Sequence, residues 1–153
     1  MPLRQYIKKE NCRLLTEKSK TDVLNSMMED LHKKGFIQDL AELKKEIFYR
    51  EELMSTGLGL GIAIPHVRFS GITDPVVSLG IQPRGIVDYQ SLDNEPIKII
   101  ILIIVGKDQH KEHLQILSQI MARLKDQSSR EKLILANTDS EIYEIITRGV
   151  EQI

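Results

Sequence analysis

From Ile97 to Val105 the chain reads Ile-Lys-Ile-Ile-Ile-Leu-Ile-Ile-Val, apolar and largely β-branched apart from Lys98. Such a run does not alternate between core and water, so it predicts a strand buried on both faces. A strand of that kind needs helical layers above and below its sheet. The segment is far too short to cross a bilayer, which takes about 20 apolar residues. This one stretch therefore points to a soluble α/β domain.

Helical patterns flank the strand on both sides, which supports α/β with helices on both faces of the sheet. Ser19-Lys20-Thr21-Asp22 opens a helix in the manner of a capping box, with Asp in place of Glu or Gln. Val23, Leu24, Met27 and Leu31 share its inner face, Gly35 stops it, and its methionines read as core filler. A second helix, from about Asp39 to Glu52, turns Leu40, Leu43 and Ile47 inward and carries Arg50 near its end. Ile62-Ala63-Ile64 reads as a short strand that closes at Pro65 and His66, followed by a loop. Val76 to Ile81 reads as the next strand. Beyond Val105, Gln109 to about Lys125 forms a third helix with Leu114, Leu117, Ile120, Met121 and Leu124 inward. Capping boxes at Ser128 with Glu131, and at Thr138 with Glu141, open two short final helices.

No repeat, low-complexity tract or linker interrupts the chain, and 153 residues suit a single domain spanning residues 1–153. A formal net charge of -1, without a block of like charges, gives no surface for nucleic-acid phosphates. The absence of Trp also leaves few aromatic side chains for base stacking. Met1 to Tyr6 lacks the apolar stretch of a secretion signal, and Cys12 stands alone, so no internal disulfide forms. Cys12 reads as a small core side chain, and the chain as cytoplasmic.

The chemistry concentrates between Arg50 and His66, Arg-Glu-Glu-Leu-Met-Ser-Thr-Gly-Leu-Gly-Leu-Gly-Ile-Ala-Ile-Pro-His. Gly57-Leu58-Gly59-Leu60-Gly61 permits a tight turn and close backbone approach. Its spacing is G-x-G-x-G and no Gly-Lys-Ser/Thr follows, so it is not a nucleotide-binding loop. Pro65 restricts the backbone just before His66. A neutral imidazole is a competent nucleophile near pH 7, since unperturbed His has a pKa of roughly 6.5. Taken alone, His66 reads first as an exposed or hydrogen-bonded loop residue, Arg50 as a solvated helix-end residue and His113 as a surface histidine. Ser55 and Thr56 could offer hydroxyl donors, and a turn role explains them as well. His110 and His113 are three apart on a helix, but they do not form His-Glu-x-x-His and no third ligand cluster accompanies them. His32 suits the C-terminal end of its helix.

The Arg50–His66 segment resembles the active-site signature of the fructose/mannitol/nitrogen-regulatory (type 2) enzyme IIA class of the bacterial phosphotransferase system (PTS). The resemblance runs in order from about Leu15 to Ile146. It takes in the Ser19-Lys20 helix, Ser91-Leu92-Asp93-Asn94-Glu95-Pro96, the long strand, His113 and the closing Ser140-Glu141-Ile142-Tyr143-Glu144-Ile145-Ile146. It implies a central mixed sheet of about five strands with helices on both faces. It also implies a transferase whose phosphohistidine forms on His66 at the far nitrogen, Nε2. Arg50 would bind the phosphoryl group and His113 would position or hydrogen-bond the nucleophile. The implied partners are an HPr-like phosphocarrier protein as donor and an enzyme IIB domain or a regulatory target as recipient. No metal, nucleotide or organic cofactor is implied. Relatives usually carry a small residue after the histidine, often followed by Lys; here Val67 and Arg68 stand there, where a partner would dock.

Two roles follow from the class. One is sugar transport, with phosphate passed to a IIB protein. The other is nitrogen regulation, in which phosphorylation changes what the protein binds. The Leu92-Asp93-Asn94 turn and a chain that carries no IIB or membrane segment lean toward the second. A third reading, a protein that keeps the fold without the chemistry, sits poorly with Arg50, His66 and His113 all present.

Overall fold

In the computed structural model, which describes residues 3–148, Ile97–Val105 is one unbroken strand inside a five-stranded mixed sheet. In chain order the described elements begin with a short 3-10 turn, Leu3–Gln5, and β1, Ile7–Leu14. Helices α1, Lys20–Lys33, and α2, Leu40–Leu53, follow. Next come β2, Ile62–Ala63; β3, His66–Arg68; β4, Val76–Ile86; and β5, Ile97–Val105. The chain then folds into α3, His110–Leu124; α4, Gln127–Ile134; and α5, Asp139–Thr147. Residues 1–2 and 149–153, the ends of the expected single domain, lie outside the described residues.

The strands lie in the order β1-β4-β5-β2, with β3 also against β5. β4 and β5 are antiparallel, whereas β1 pairs parallel with β4, and β2 and β3 pair parallel with β5. From Ile99 on, successive β5 side chains enter two different cores. Ile99, Ile101, Ile103 and Val105 join Ile116, Ile120 and Leu124 of α3, Leu133 of α4, and Ile142 and Ile146 of α5. Ile100, Leu102 and Ile104 join Val23, Leu24, Met27, Met28 and Leu31 of α1 with Leu43 and Ile47 of α2. The strand is continuous in apolarity because it has a core on each side.

The helix signals hold at α1 and α2. The Ser19 side chain accepts from the Asp22 N–H and Asp39 from the Glu42 N–H, both at 3.1 Å. Gly35 leaves α1 at φ +87°, where a side chain would be strained. At α5, Thr138 accepts from the Glu141 N–H while the Glu141 carboxylate accepts from the Asn137 N–H.

Four expectations are corrected. Ser128 does not cap α4; Asp126 does, accepting from the Ser129 N–H and hydroxyl, so the helix starts earlier. Leu114 is 52% exposed, and the inner line of α3 is Ile116, Ile120 and Leu124, spaced by four. The strand after Val76 runs past Ile81 to Ile86, but its register with β5 shifts between those two residues, across Gln82-Pro83-Arg84-Gly85. A proline there cannot donate to a ladder, so sequence pattern alone reads a turn. Finally, His66 opens a strand rather than closing one. β2 and β3 hold the same register on β5, with Ile62 opposite Ile99 and His66 opposite Ile103. Only Ile64 and Pro65 interrupt the line. Pro65 has no N–H, and the Ile64 N–H bonds to the Thr56 carbonyl instead.

β1 was invisible to pattern reading. Lys8, Lys9 and Glu10 are exposed at the sheet margin, so it shows no alternation. α5 packs along it, and the Asp139 carboxylate accepts from the Leu14 N–H at 2.9 Å. Cys12 is buried there, and burial foremost, with Asp139 nearby, pushes its thiol up to about 12, as expected of an inert core thiol. Among the described residues no helix is long and apolar enough to cross a membrane.

Candidate functional site

Three chain segments meet where β3 begins. The first is the last turn of α2. Glu51 sits one residue after Arg50 and is 6% exposed; its carboxylate takes the Thr56 N–H at 3.1 Å, the Thr56 hydroxyl at 2.5 Å and the Lys20 ammonium at 3.0 Å. These contacts pin the chain leaving α2. Ser55 donates to the Gln90 carbonyl and accepts from the Gly57 N–H, so both hydroxyls belong to the scaffold and are not free donors.

The second segment is the glycine loop. A Cβ on Gly57 would lie 1.9 Å from the Gln90 carbonyl oxygen, which leaves room for no other residue. Leu60 and Gly61 both have positive φ, 66° and 75°, and turn the chain back toward β2. Asp93 braces the loop by accepting from the Leu60 N–H at 3.0 Å. Hydrogen bonds from the Leu60 and Glu95 N–H groups hold the Asp93 carboxyl below the usual carboxylate range.

The third is the start of α3. Its N-cap, Gln109, makes no side-chain cap to the helix; it bonds instead to Gly106 N–H and the Thr73 carbonyl. The positive end of the α3 dipole is therefore not met by a side-chain acceptor from the cap.

Between these segments lies a cavity of about 410 Å³ lined by Arg50, His66, Val67, Arg68, His110, His113 and Leu114. The three residues singled out by sequence thus come together. His66 and His113 meet edge to face, ring centroids 5.1 Å apart and planes at 84°. His66 Nδ1 lies 2.8 Å from the Ile64 carbonyl oxygen. A carbonyl only accepts, so Nδ1 carries the hydrogen, and the neutral ring then keeps its lone pair on Nε2. Arg50 is half-buried and Arg68 exposed; neither guanidinium has a carboxylate partner among the described residues. His113 is held below its usual pKa, first by burial and then by the neighbouring His66, His110 and Arg68. The pocket lining thus gathers cationic groups and a nucleophilic imidazole and includes no carboxylate.

Arg68 and His110 were not read as site residues. Residues two apart on a strand share a face, and residues three apart on a helix do too, so both follow from His66 and His113 once the elements are placed. Val67 packs partly on the α1–α2 core. Among the described residues no group of three or more His, Cys, Asp or Glu is placed to hold a metal ion.

Fold and pocket together define a class: α/β domains with a mixed sheet that presents a histidine at the start of an edge strand in a cationic cleft. The family model described as "Phosphoenolpyruvate-dependent sugar phosphotransferase system, EIIA 2" matches residues 5–149, and the chain belongs to that family. It is 32% identical over 149 residues to the "PTS system fructose-specific EIIABC component" of Bacillus subtilis, covering 97% of this chain and 23% of that protein. It is 39% identical over 103 residues to a "Nitrogen regulatory protein" of Klebsiella oxytoca, covering 67% of this chain and 64% of the relative. The chain therefore spans less than two thirds of either relative. Among solved structures it superposes on the nitrogen regulatory protein IIA-Ntr of Neisseria meningitidis with a TM-score of 0.80, 26% identity and 95% coverage of both chains.

Proposed function

We propose that this protein is a phosphohistidine carrier that accepts a phosphoryl group on Nε2 of His66 from an HPr-like protein. The observation that carries the reading is the Nδ1–H hydrogen bond to the Ile64 carbonyl, which leaves Nε2 as the nucleophilic nitrogen in a cleft lined by two arginines that have no carboxylate partner among the described residues. In the transfer, the Nε2 lone pair attacks phosphorus while the P–N bond to the donor's histidine breaks, its electron pair returning to that ring. Arg50 meets the phosphoryl oxygens with a planar fork suited to two of them. Burial, with His66, His110 and Arg68 beside it, holds His113 below its usual pKa and so favours the neutral ring, which adds no repelling charge beside His66. Recipients are an enzyme IIB domain or a regulatory target. The name of the Bacillus relative joins A, B and C components, which favours a IIB recipient. The higher identity to a nitrogen regulatory protein and the IIA-Ntr superposition favour a regulatory one.

The test is reconstitution with phosphoenolpyruvate, enzyme I and an HPr-type carrier, read by intact mass. One acid-labile phosphoryl group, absent from His66→Ala, is expected. Full phosphorylation of His66→Ala overturns the assignment. Binding of target proteins that changes between the phosphorylated and free forms separates the regulatory role from the transport one.

A further inference from the structure

Outside the lining of the cleft, a polar chain links Lys20, Glu51, Thr56 and Tyr89. Lys20 Nζ pairs with Glu51 Oε1 at 3.0 Å and sits 4.4 Å from the centre of the Tyr89 ring. Glu51 holds Thr56 through both carboxylate oxygens, and the Thr56 hydroxyl lies 2.8 Å from the Tyr89 hydroxyl. Burial and the Glu51 charge push the Tyr89 hydroxyl upward, so it stays protonated. Burying a carboxylate is costly unless every oxygen is met, and here both are.

The chain continues to the nucleophile. The Thr56 carbonyl accepts from the Ile64 N–H at 3.1 Å, and the Ile64 carbonyl accepts from His66 Nδ1 at 2.8 Å. Ile64 belongs to the two-residue break between β2 and β3, where the ladder with β5 does not hold its N–H. The Ile64 backbone is therefore held on its N–H side by Thr56, which Glu51 holds in turn, while the Pro65 carbonyl just beyond accepts from the Ile103 N–H of β5 at 2.9 Å.

We infer that Glu51 and Thr56 are positioning residues that fix the Nδ1–H tautomer and ring orientation of His66, acting through the backbone at Ile64. Glu51 follows Arg50 in the last turn of α2, so the same contacts also fix the distance between the helix end bearing the arginine and the strand bearing the histidine. The inference deepens the proposed role of His66 and rests on it for its meaning, but the tautomer can be read without any transfer.

The experiment is side-chain nitrogen NMR of the unphosphorylated full chain with labelled histidine, on wild type, Thr56→Val, Glu51→Ala and Glu51→Gln, alongside the rate of phosphorylation. Wild-type His66 should hold one tautomer, protonated at Nδ1. Thr56→Val and Glu51→Ala should show mixed tautomers and slow phosphorylation by on the order of tenfold to a hundredfold, the size expected of a misplaced nucleophile. Glu51→Gln keeps an acceptor for the Thr56 N–H and should recover most of both. Wild-type His66 with mixed tautomers, or unchanged His66 resonances in folded Thr56→Val, overturns the inference. Thr56→Val decides the matter if Glu51→Ala does not fold. Should wild type accept no phosphate, the proposed carrier function falls while the resonances still settle the positioning role.

Discussion

His113 is half-buried beside three cationic or potentially cationic groups, His66, His110 and Arg68, with Arg50 across the same cleft. Its proton is harder to hold in the folded protein than in the unfolded chain. The stability this neutral ring contributes is complete above the unfolded pKa of roughly 6.5 and is lost as pH falls through the lower folded value. Urea midpoints measured from about pH 8 down to about pH 5 should therefore decline on the acid side. His113→Gln should flatten that decline, and an unchanged slope in the variant would refute this account of His113. Arg50 makes a different prediction. Its guanidinium has no carboxylate partner among the described residues, so Arg50→Ala should shift stability by no more than about 0.5 kcal/mol. Transfer should nevertheless slow by on the order of a hundredfold, as for loss of one donor to a developing anion. Melting curves and initial rates on the same preparation check both halves.

At this scale the sequence exposed the groups and hid their support. His66, Arg50 and His113 stand in a recognisable order, and each reaches the cleft. Glu51 was unreadable because a carboxylate in the last turn of a helix is ordinarily solvated; only the folded chain brings Thr56 and the half-buried Lys20 to it as partners. Thr56 and Ser55 sat in a turn either way, and their hydroxyls are spent on that turn.

Among the elements, β5 was the most legible, since nothing but a two-sided core accommodates so many branched side chains in a row. Leu102 is fully buried between β5 and the α1–α2 layer, and Leu102→Ala should cost about 2–5 kcal/mol by urea denaturation. A loss below about 1 kcal/mol would show that this layer collapses onto the gap. The glycine loop offers the opposite sign. Leu60 is 57% exposed yet has φ 66°, a conformation that costs a branched residue roughly 1 kcal/mol or more. Asn tolerates that backbone, so Leu60→Asn should raise the melting temperature, with Asp93 still bonded to the backbone N–H. β1 escaped notice because its surface is charged where a strand usually alternates. The break at Ile64–Pro65 escaped notice because a proline without an N–H looks like a strand's end, although its carbonyl accepts from the Ile103 N–H and the strand resumes in register.

Across the whole molecule, the sheet puts its site at a margin. β3 is held by β5 on one side, and the ends of α2 and α3 close over the start of β3 from opposite layers. The half-buried His66 imidazole therefore sits at the rim of the sheet and lines the cleft. Membership in the EIIA 2 family was legible from the ordered motifs. The choice between transport and regulation was not, because it depends on which partner surface fits Val67, Arg68 and the rest of the cleft rim. The central claim is that the phosphoryl group resides on His66. Peptide mapping of the phosphorylated protein under neutral to alkaline conditions, which preserve phosphohistidine, tests it most directly. The account predicts the added phosphoryl mass on the peptide containing His66; a phosphoryl group on His110 or His113 with His66 unmodified would contradict it.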